Sequence, residues 1–116
     1  MGAPITHVEI NSNQQKSLID FYSKLFGWSA DTNNPMGYAM VDTKAGKGVG
    51  AGIGQAQNGS HNFVTFYVDV DDLDATLKKA NGLGAKTLLP PTQTGPVTVA
   101  MFADPEGNVI GIAKGM

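Results

Sequence analysis

Two titratable side chains lie close together near the start of the chain. His7 and Glu9 are two residues apart in the segment from Ile5 to Ile10, where apolar and polar residues alternate. Side chains two apart in a β-strand share a face, with about 6.5–7 Å between their Cα atoms. A carboxylate in a partly dry cleft gains proton affinity, so the pair is predicted to act in acid/base chemistry or to orient a ligand. The alternative is a solvated Glu9 and a His7 that hydrogen-bonds locally.

Other reactive groups are scarce. The chain has no Cys, and therefore neither a thiolate nucleophile nor a thiolate metal site. All eight cationic side chains are Lys, so no Arg supplies a bidentate clamp for the phosphates of a nucleotide or coenzyme A. A second histidine, His61, shares strand parity with Thr65. A metal site of His7, Glu9 and His61 is therefore an alternative to a solvated histidine in a linker.

Composition narrows the class of protein. The chain has 116 residues, of which 41% are hydrophobic and 16% charged, which is typical of one globular domain. A net charge of −2 supplies no basic field for nucleic acid or anionic lipid. No apolar run reaches the roughly 20 residues of a membrane span, and no signal-peptide pattern is present. We expect a cytoplasmic protein with neither a nucleic-acid nor a membrane partner.

The same order of elements is predicted twice, as a strand, a helix and short strands, over residues 5–54 and 62–113. In the first half, Ser12 and Gln15 fit a capping box, and Gly27 fits a left-handed helix C-cap. The helix between them has a wide apolar stripe: Leu18, Phe21, Tyr22, Leu25 and Phe26. Short strands are predicted at 28–31 and 38–42.

Glycine occupies every other position from Gly46 to Gly54, which reads as a strand with one bare face. Such a face either lets another element approach closely or leaves room for a ligand. The run formally matches a dinucleotide-binding pattern, but alternating glycines do not start the helix on which that pattern depends, and we reject it. Residues 55–61 are the predicted linker.

The second half begins with a strand from Phe63 to Val70. A helix capped by Asp71 follows, with three residues facing inward: Leu73, Leu77 and Ala80. Further strands are predicted at 87–89, 97–103 and 109–113. Pro90 and Pro91 are predicted to separate the first two of these, and residues 104–108 to form the last hairpin turn.

Aromatic and apolar side chains are also available to line a pocket for a flat ligand, although the same residue types fill cores. They are Trp28, Tyr38, Phe63, Tyr67, Met101 and Phe102. Tyr67 is the most favoured, because its strand face also carries Thr65 and Asp69.

Several fragments in a fixed order resemble the vicinal oxygen chelate superfamily of glyoxalase I, bleomycin-resistance proteins and extradiol dioxygenases. They are His7, Phe21-Tyr22, Leu25-Phe26-Gly27-Trp28, Val70 to Ala75, Gly84-Ala85-Lys86, Pro90-Pro91 and Ala103 to Asn108. The resemblance implies an α+β fold in which two βαβββ modules form an eight-stranded, curled mixed sheet with a cleft, commonly in paired subunits. We expect a single glyoxalase-like domain over residues 1–116, with modules at 4–56 and 61–114, and a homodimer.

Enzymes of this superfamily bind a divalent metal through His and Glu side chains, and the resemblance places those ligands at definite positions here. The first falls on His7, the second on Thr65, or on Phe63 if the register slips by two, and the last on Gly111. A catalytic metal needs about three protein donors, and only His7 is one. We therefore expect no metal cofactor, with a divalent metal as the alternative.

Three functions remain open. The favoured one is a metal-free protein that binds a small organic molecule in its cleft, as the bleomycin-resistance branch does. The predicted ligand-binding residues are Trp28, Tyr38, Phe63, Thr65, Tyr67, Phe102 and Gly111. The first alternative is a lyase, isomerase or dioxygenase that uses His7 and Glu9 as catalytic residues. The second is an interaction or regulatory module whose dimer surface is the function.

Overall fold

A computed structural model describes residues 2–56 and 62–115. His61 and most of the predicted linker lie outside the described residues. The chain divides into two compact units: an N-terminal unit of residues 7–64, and a C-terminal unit of residues 65–116 together with residues 1–6. The N-terminal segment joins the C-terminal unit, where the Asp69 amide donates to the Pro4 carbonyl at 2.9 Å.

The N-terminal unit has the predicted order of a strand, a helix and three strands. β1 is Ile5–Ser12, which enters this unit at His7; β2 is Ser29–Asp31, β3 is Ala39–Asp42 and β4 is Gly50–Gln55. Their order in the sheet is β2-β3-β4-β1, with β1 and β4 parallel and the other neighbours antiparallel. The glycine strand is shorter than predicted, because Gly46 and Gly48 take positive φ angles of 73° and 95° in the turn before it.

The helix of this unit, α1, spans Gln15–Phe26 and ends at Gly27, which has the predicted left-handed conformation (φ 72°). The predicted capping box is wrong. Gln14 is the N-cap and makes no side-chain capping bond, while the Ser12 hydroxyl accepts from the Gln14 amide. The Gln15 side chain instead donates to the carbonyls of Gly37 and Ile53, so it fastens the helix to the sheet.

The apolar stripe of α1 is only partly covered. Phe21, Leu25 and Phe26 are each more than half exposed, and α1 has no fully buried residue. The rings of Tyr22, Phe26 and Trp28 contact one another, with centroid separations of 6.0, 5.4 and 5.1 Å. The stripe is therefore wider than the surface that this unit offers to cover it.

The C-terminal unit repeats the order of the first. β5 is Phe63–Asp69, α2 is Leu73–Gly82, β6 is Lys86–Thr94, β7 is Val97–Ala103 and β8 is Val109–Lys114. From Thr65 onward these elements belong to the unit, and its strands lie in the order β5-β8-β7-β6. β5 and β8 are parallel, and the other neighbours are antiparallel.

A small apolar core lies between α2 and its sheet, where Leu73 and Leu77 pack with Ala100 and Ile112. Both leucines face inward as predicted, and Ala80 is half-buried. The helix cap is Asp72 rather than Asp71: its carboxylate accepts from the Ala75 amide at 3.0 Å.

The two prolines do not end a strand. β6 continues through Pro90 and Pro91, with irregular register between Leu89 and Thr92. It is the outermost strand of its unit, and an edge strand tolerates residues that have no amide hydrogen. The predicted break is therefore wrong, but the predicted turn at 104–108 is confirmed by the Asp104 carboxylate, which accepts from the amides of Glu106 and Asn108.

Among the described residues, no helix is both long and apolar enough to cross a membrane.

Candidate functional site

One face of β1 carries the predicted pair in the N-terminal unit. His7 and Glu9 are buried, with 4% and 8% of their surface exposed. In the parallel register with β4, His7 lies beside Gly50 and Glu9 beside Gly52, while Asn11 lies beside Gly54. A row of three polar side chains thus runs along a row of three glycines, because both strands alternate with a period of two.

The glycine row makes room for Tyr38, the residue before β3. A Cβ atom on Gly52 would overlap the hydroxyl end of the Tyr38 ring, and one on Gly54 would lie 3.4 Å from the nearest ring carbon. The ring therefore lies along bare backbone, and its hydroxyl reaches His7 Nε2 at 2.9 Å. Of the two explanations for the bare strand face, the structure supports close approach, by a tyrosine of the same unit.

Burial also sets the charge of the histidine. Removal from water lowers the pKa of His7 below its ordinary value of 6.5, because the desolvated imidazolium is disfavoured. The ring is consequently neutral at pH 7, with one nitrogen that donates and one that accepts. A neutral imidazole can accept a proton or a hydrogen bond, and the tautomer of His7 decides whether its Nε2 atom donates to the Tyr38 hydroxyl or accepts from it.

Asn11 belongs to the same polar row, although the sequence analysis did not single it out. Its Oδ1 atom is buried and has no hydrogen-bond partner. Its Nδ2 atom lies 3.6 Å from where a Cβ on Gly54 would be, so the amide borders the glycine row. The parity of Asn11 with His7 and Glu9 was the available signal, but an Asn near the end of a strand is usually read as part of the following turn.

The C-terminal unit also places a tyrosine on a glycine. Tyr67 lies beside Gly111 across the β5–β8 ladder, and its ring covers the position of the missing Cβ. Tyr67 is 5% exposed. The Thr65 hydroxyl, two residues earlier on the same strand face, donates to the Val109 carbonyl at 2.7 Å.

The remaining predicted residues are described by their neighbours within each unit. Trp28 packs with the aromatic rings of α1. Phe102 packs against the core beneath α2, on the opposite sheet face from Met101, which pairs with Gly111. Phe63 is half-buried at the start of β5. Within the N-terminal unit, the predicted residues His7, Glu9 and Tyr38 lie on the face that carries the glycine row.

The positions of the expected metal ligands do not fit a metal. Thr65 supplies a hydroxyl that is already bonded to a backbone carbonyl, and Gly111 supplies no donor and is covered by a ring. Among residues 2–56 and 62–115, no group of three His, Cys, Asp or Glu side chains is placed to hold an ion. We therefore derive no chemical step through a metal.

Two βαβββ units define a glyoxalase-like fold. The chain belongs to the Glyoxalase/Bleomycin resistance protein/Dioxygenase superfamily, whose sequence profile matches residues 4–112.

Two named relatives extend this result. Anthracycline biosynthesis protein DnrV of Streptomyces peucetius is 30% identical over 128 residues, which cover 96% of this chain and 46% of that protein. CFP32 of Mycobacterium bovis, which carries a glyoxylase name, is 29% identical over 113 residues, which cover 90% of this chain and 43% of that protein. This chain therefore spans less than half the length of these relatives.

Solved structures confirm the fold. A glyoxalase/bleomycin resistance protein/dioxygenase superfamily member from Vibrio splendidus 12B01 matches with a TM-score of 0.65 and 15% identity, covering 97% of this chain and 99% of that one. The predicted α+β fold with two βαβββ modules is thus confirmed. At this level of identity the likeness shows the fold alone.

Proposed function

We propose that this protein binds a small organic molecule without a metal, at the face of the N-terminal unit that carries His7, Glu9 and Asn11. The observation that carries the proposal is the Tyr67 ring over Gly111, because it fills the position where the superfamily places its last metal ligand. The buried polar row supports a ligand with directional hydrogen bonds.

Two measurements test this proposal. Elemental analysis of protein purified without chelators is expected to find less than stoichiometric metal, and EDTA is expected to leave the Tm unchanged. A calorimetric screen of aromatic and hydroxylated compounds is expected to yield ligands whose affinity falls in His7→Phe. Stoichiometric metal that is lost in His7→Ala, or a broad panel without a ligand, would overturn the proposal.

Acid/base catalysis is the second candidate, because His7 and Glu9 are buried on one strand face and His7 is neutral. Such a pair could remove a proton from a carbon next to a carbonyl group. We would incubate carbonyl-containing ligands from the screen with protein in D2O and follow exchange by NMR. Hydrogen exchange that the wild type catalyses and Glu9→Gln abolishes, while ligand binding persists, supports an enzyme. If the wild type leaves exchange at its uncatalysed rate, the protein only binds the ligand.

A homodimer and a cytoplasmic location also remain proposals. For the dimer, support comes from the exposed side chains of Phe21, Leu25 and Phe26, which a second copy could cover. Sedimentation of the wild type against Phe26→Ser tests it: a dimer that dissociates in the variant supports this surface, and a wild-type monomer refutes it. Cell fractionation tests the location.

A further inference from the structure

We infer that the glycine row is a binding site for phenols, which Tyr38 occupies in the unliganded protein as an internal substitute. The inference rests on the proposed function and names the ligand class for the same face. A tyrosine side chain is a 4-methylphenol, and its ring here lies on Gly52 and Gly54 with its hydroxyl on His7 Nε2. The unit thus provides both the flat backbone surface for the ring of a free phenol and a hydrogen-bonding group for its hydroxyl.

The ring, rather than the loop, is the part that can move. The Asn34 side chain clamps the backbone of Tyr38: its Nδ2 donates to the Tyr38 carbonyl at 2.6 Å, and its Oδ1 accepts from the Tyr38 amide at 3.0 Å. The Gln15 side chain also donates to the Gly37 carbonyl. Tyr38 itself is only half-buried, so rotation about its side-chain bonds carries the ring off the glycines without breaking these anchors.

Asn11 gives the site a second polar contact. Its unpartnered Oδ1 needs a donor, and Tyr38, whose hydroxyl is directed to His7, does not supply one. A ligand with a further hydroxyl at the Gly54 end of the row would satisfy this atom. Leaving a buried acceptor unpaired is unfavourable, so a ligand that pairs it gains affinity over one that does not.

The first experiment deletes the Tyr38 ring and supplies the same ring as a free small molecule. By calorimetry, Tyr38→Ala is expected to bind 4-methylphenol about tenfold more tightly than toluene, since a hydrogen bond to a buried group is worth about one such factor. The preference is expected to vanish in the double variant Tyr38→Ala/His7→Phe. Equal binding of the two probes to Tyr38→Ala, or no binding, overturns the inference.

The wild type must bind as well, more weakly, because the probe displaces Tyr38. Tyr38→Phe keeps the ring, folds without a cavity, and is expected to bind 4-methylphenol more tightly than the wild type does, because no hydroxyl competes for His7. Wild-type protein that gives no heat and no shift of the His7 ring protons by NMR, up to the solubility limit of 4-methylphenol, overturns the inference.

The second contact is tested with larger probes. The wild type is expected to prefer 2,6-dihydroxynaphthalene to 2-naphthol several-fold, and Asn11→Leu is expected to erase the difference. A preference that survives in Asn11→Leu refutes this contact. If screened ligands lose affinity in His7→Phe, while Tyr38→Ala, Tyr38→Phe and Asn11→Leu leave their affinity unchanged, the proposed function stands and the phenol site falls.

Discussion

Both units of this protein lay a tyrosine ring on a glycine of a neighbouring strand, but the side chains around the two rings differ. Tyr38 on Gly52 is flanked by the buried polar row of β1, and its hydroxyl bonds to His7. Tyr67 on Gly111 shares its strand face with Thr65, whose hydroxyl is bonded to a backbone carbonyl. A glycine under an aromatic ring thus serves close packing in both units. The side chains beside the ring decide whether the site can also bind or react with a ligand.

The two rings also differ in burial. Tyr67 is 5% exposed, whereas Tyr38 is half-buried. A ring that is almost fully buried cannot shift to make room for an added atom, because protein interiors are close-packed. We therefore expect the contact between Tyr67 and Gly111 to be rigid when a residue in it is substituted. The contact between Tyr38 and Gly52 is expected to adjust.

The largest expected effect is at Gly111. Gly111→Ala adds a Cβ that overlaps one edge of the Tyr67 ring, and it is expected to lower the free energy of unfolding by about 3 kcal/mol, measured by urea denaturation. Gly82→Ala is the matched control, since that helical position has open space and an extra methyl group there is expected to stabilise by about 0.5–1 kcal/mol. A loss below about 1 kcal/mol at Gly111 would contradict the rigid contact.

A substitution of Gly52 by Ala tests whether the contact with Tyr38 adjusts. Gly52→Ala overlaps Tyr38, and we expect a smaller loss of about 1–2 kcal/mol because the half-buried ring can shift. Tyr38→Ala in the same chain is expected to remove most of that loss, since the overlapping atoms are gone. Additive losses in the double variant would show that the two residues do not interact.

Thr65 probes the bond that sets the C-terminal face apart. Thr65→Val removes the hydroxyl that donates to the Val109 carbonyl, and is expected to cost about 1 kcal/mol in unfolding free energy. Thr65→Ser keeps the hydroxyl and should retain most of this stability. If both variants lose the same amount, the methyl group rather than the hydrogen bond is responsible.

His7 gives the N-terminal face a pH dependence. Because burial lowers its pKa in the folded protein, the unfolded chain binds the proton more readily. The contribution of neutral His7 is complete above about pH 6.5 and is lost as the pH falls from there through the lowered folded pKa. Thermal unfolding from pH 4 to 8 should show a shallower acid decline in His7→Gln; identical slopes would contradict the assignment.

Most of the helices and strands were predictable, because each is specified by residues close together in the sequence. The alternation in β5, the apolar spacing in α2 and the glycine after α1 each specify an element without reference to distant residues. Caps were predicted less well. Asp71 and Asp72 are both able to cap α2, and the structure uses Asp72. The Ser12 hydroxyl accepts from the Gln14 amide, which precedes α1, so it caps no amide within the helix. The strand through Pro90 and Pro91 depends on its edge position, which only the assembled sheet reveals.

The site was only partly predictable. Parity along a strand placed His7 and Glu9 on one face, but it could not show that Tyr38 would occupy the glycine row, because that contact joins residues far apart in sequence. Trp28 and Phe102 are residue types found in pockets, and in this structure they pack against α1 and against the core beneath α2. Aromatic residues fill cores and pockets alike, so residue type alone does not separate the two.

The prolines of β6 have a consequence for the behaviour of the protein at high concentration. An outer strand usually offers a ladder of amide hydrogens to which another polypeptide can add. Successive amides of a strand point to opposite sides, so of the consecutive Pro90 and Pro91 one removes a donor from the outer side, and the irregular register beside them distorts the ladder further. This margin is consequently a poor template for fibril growth.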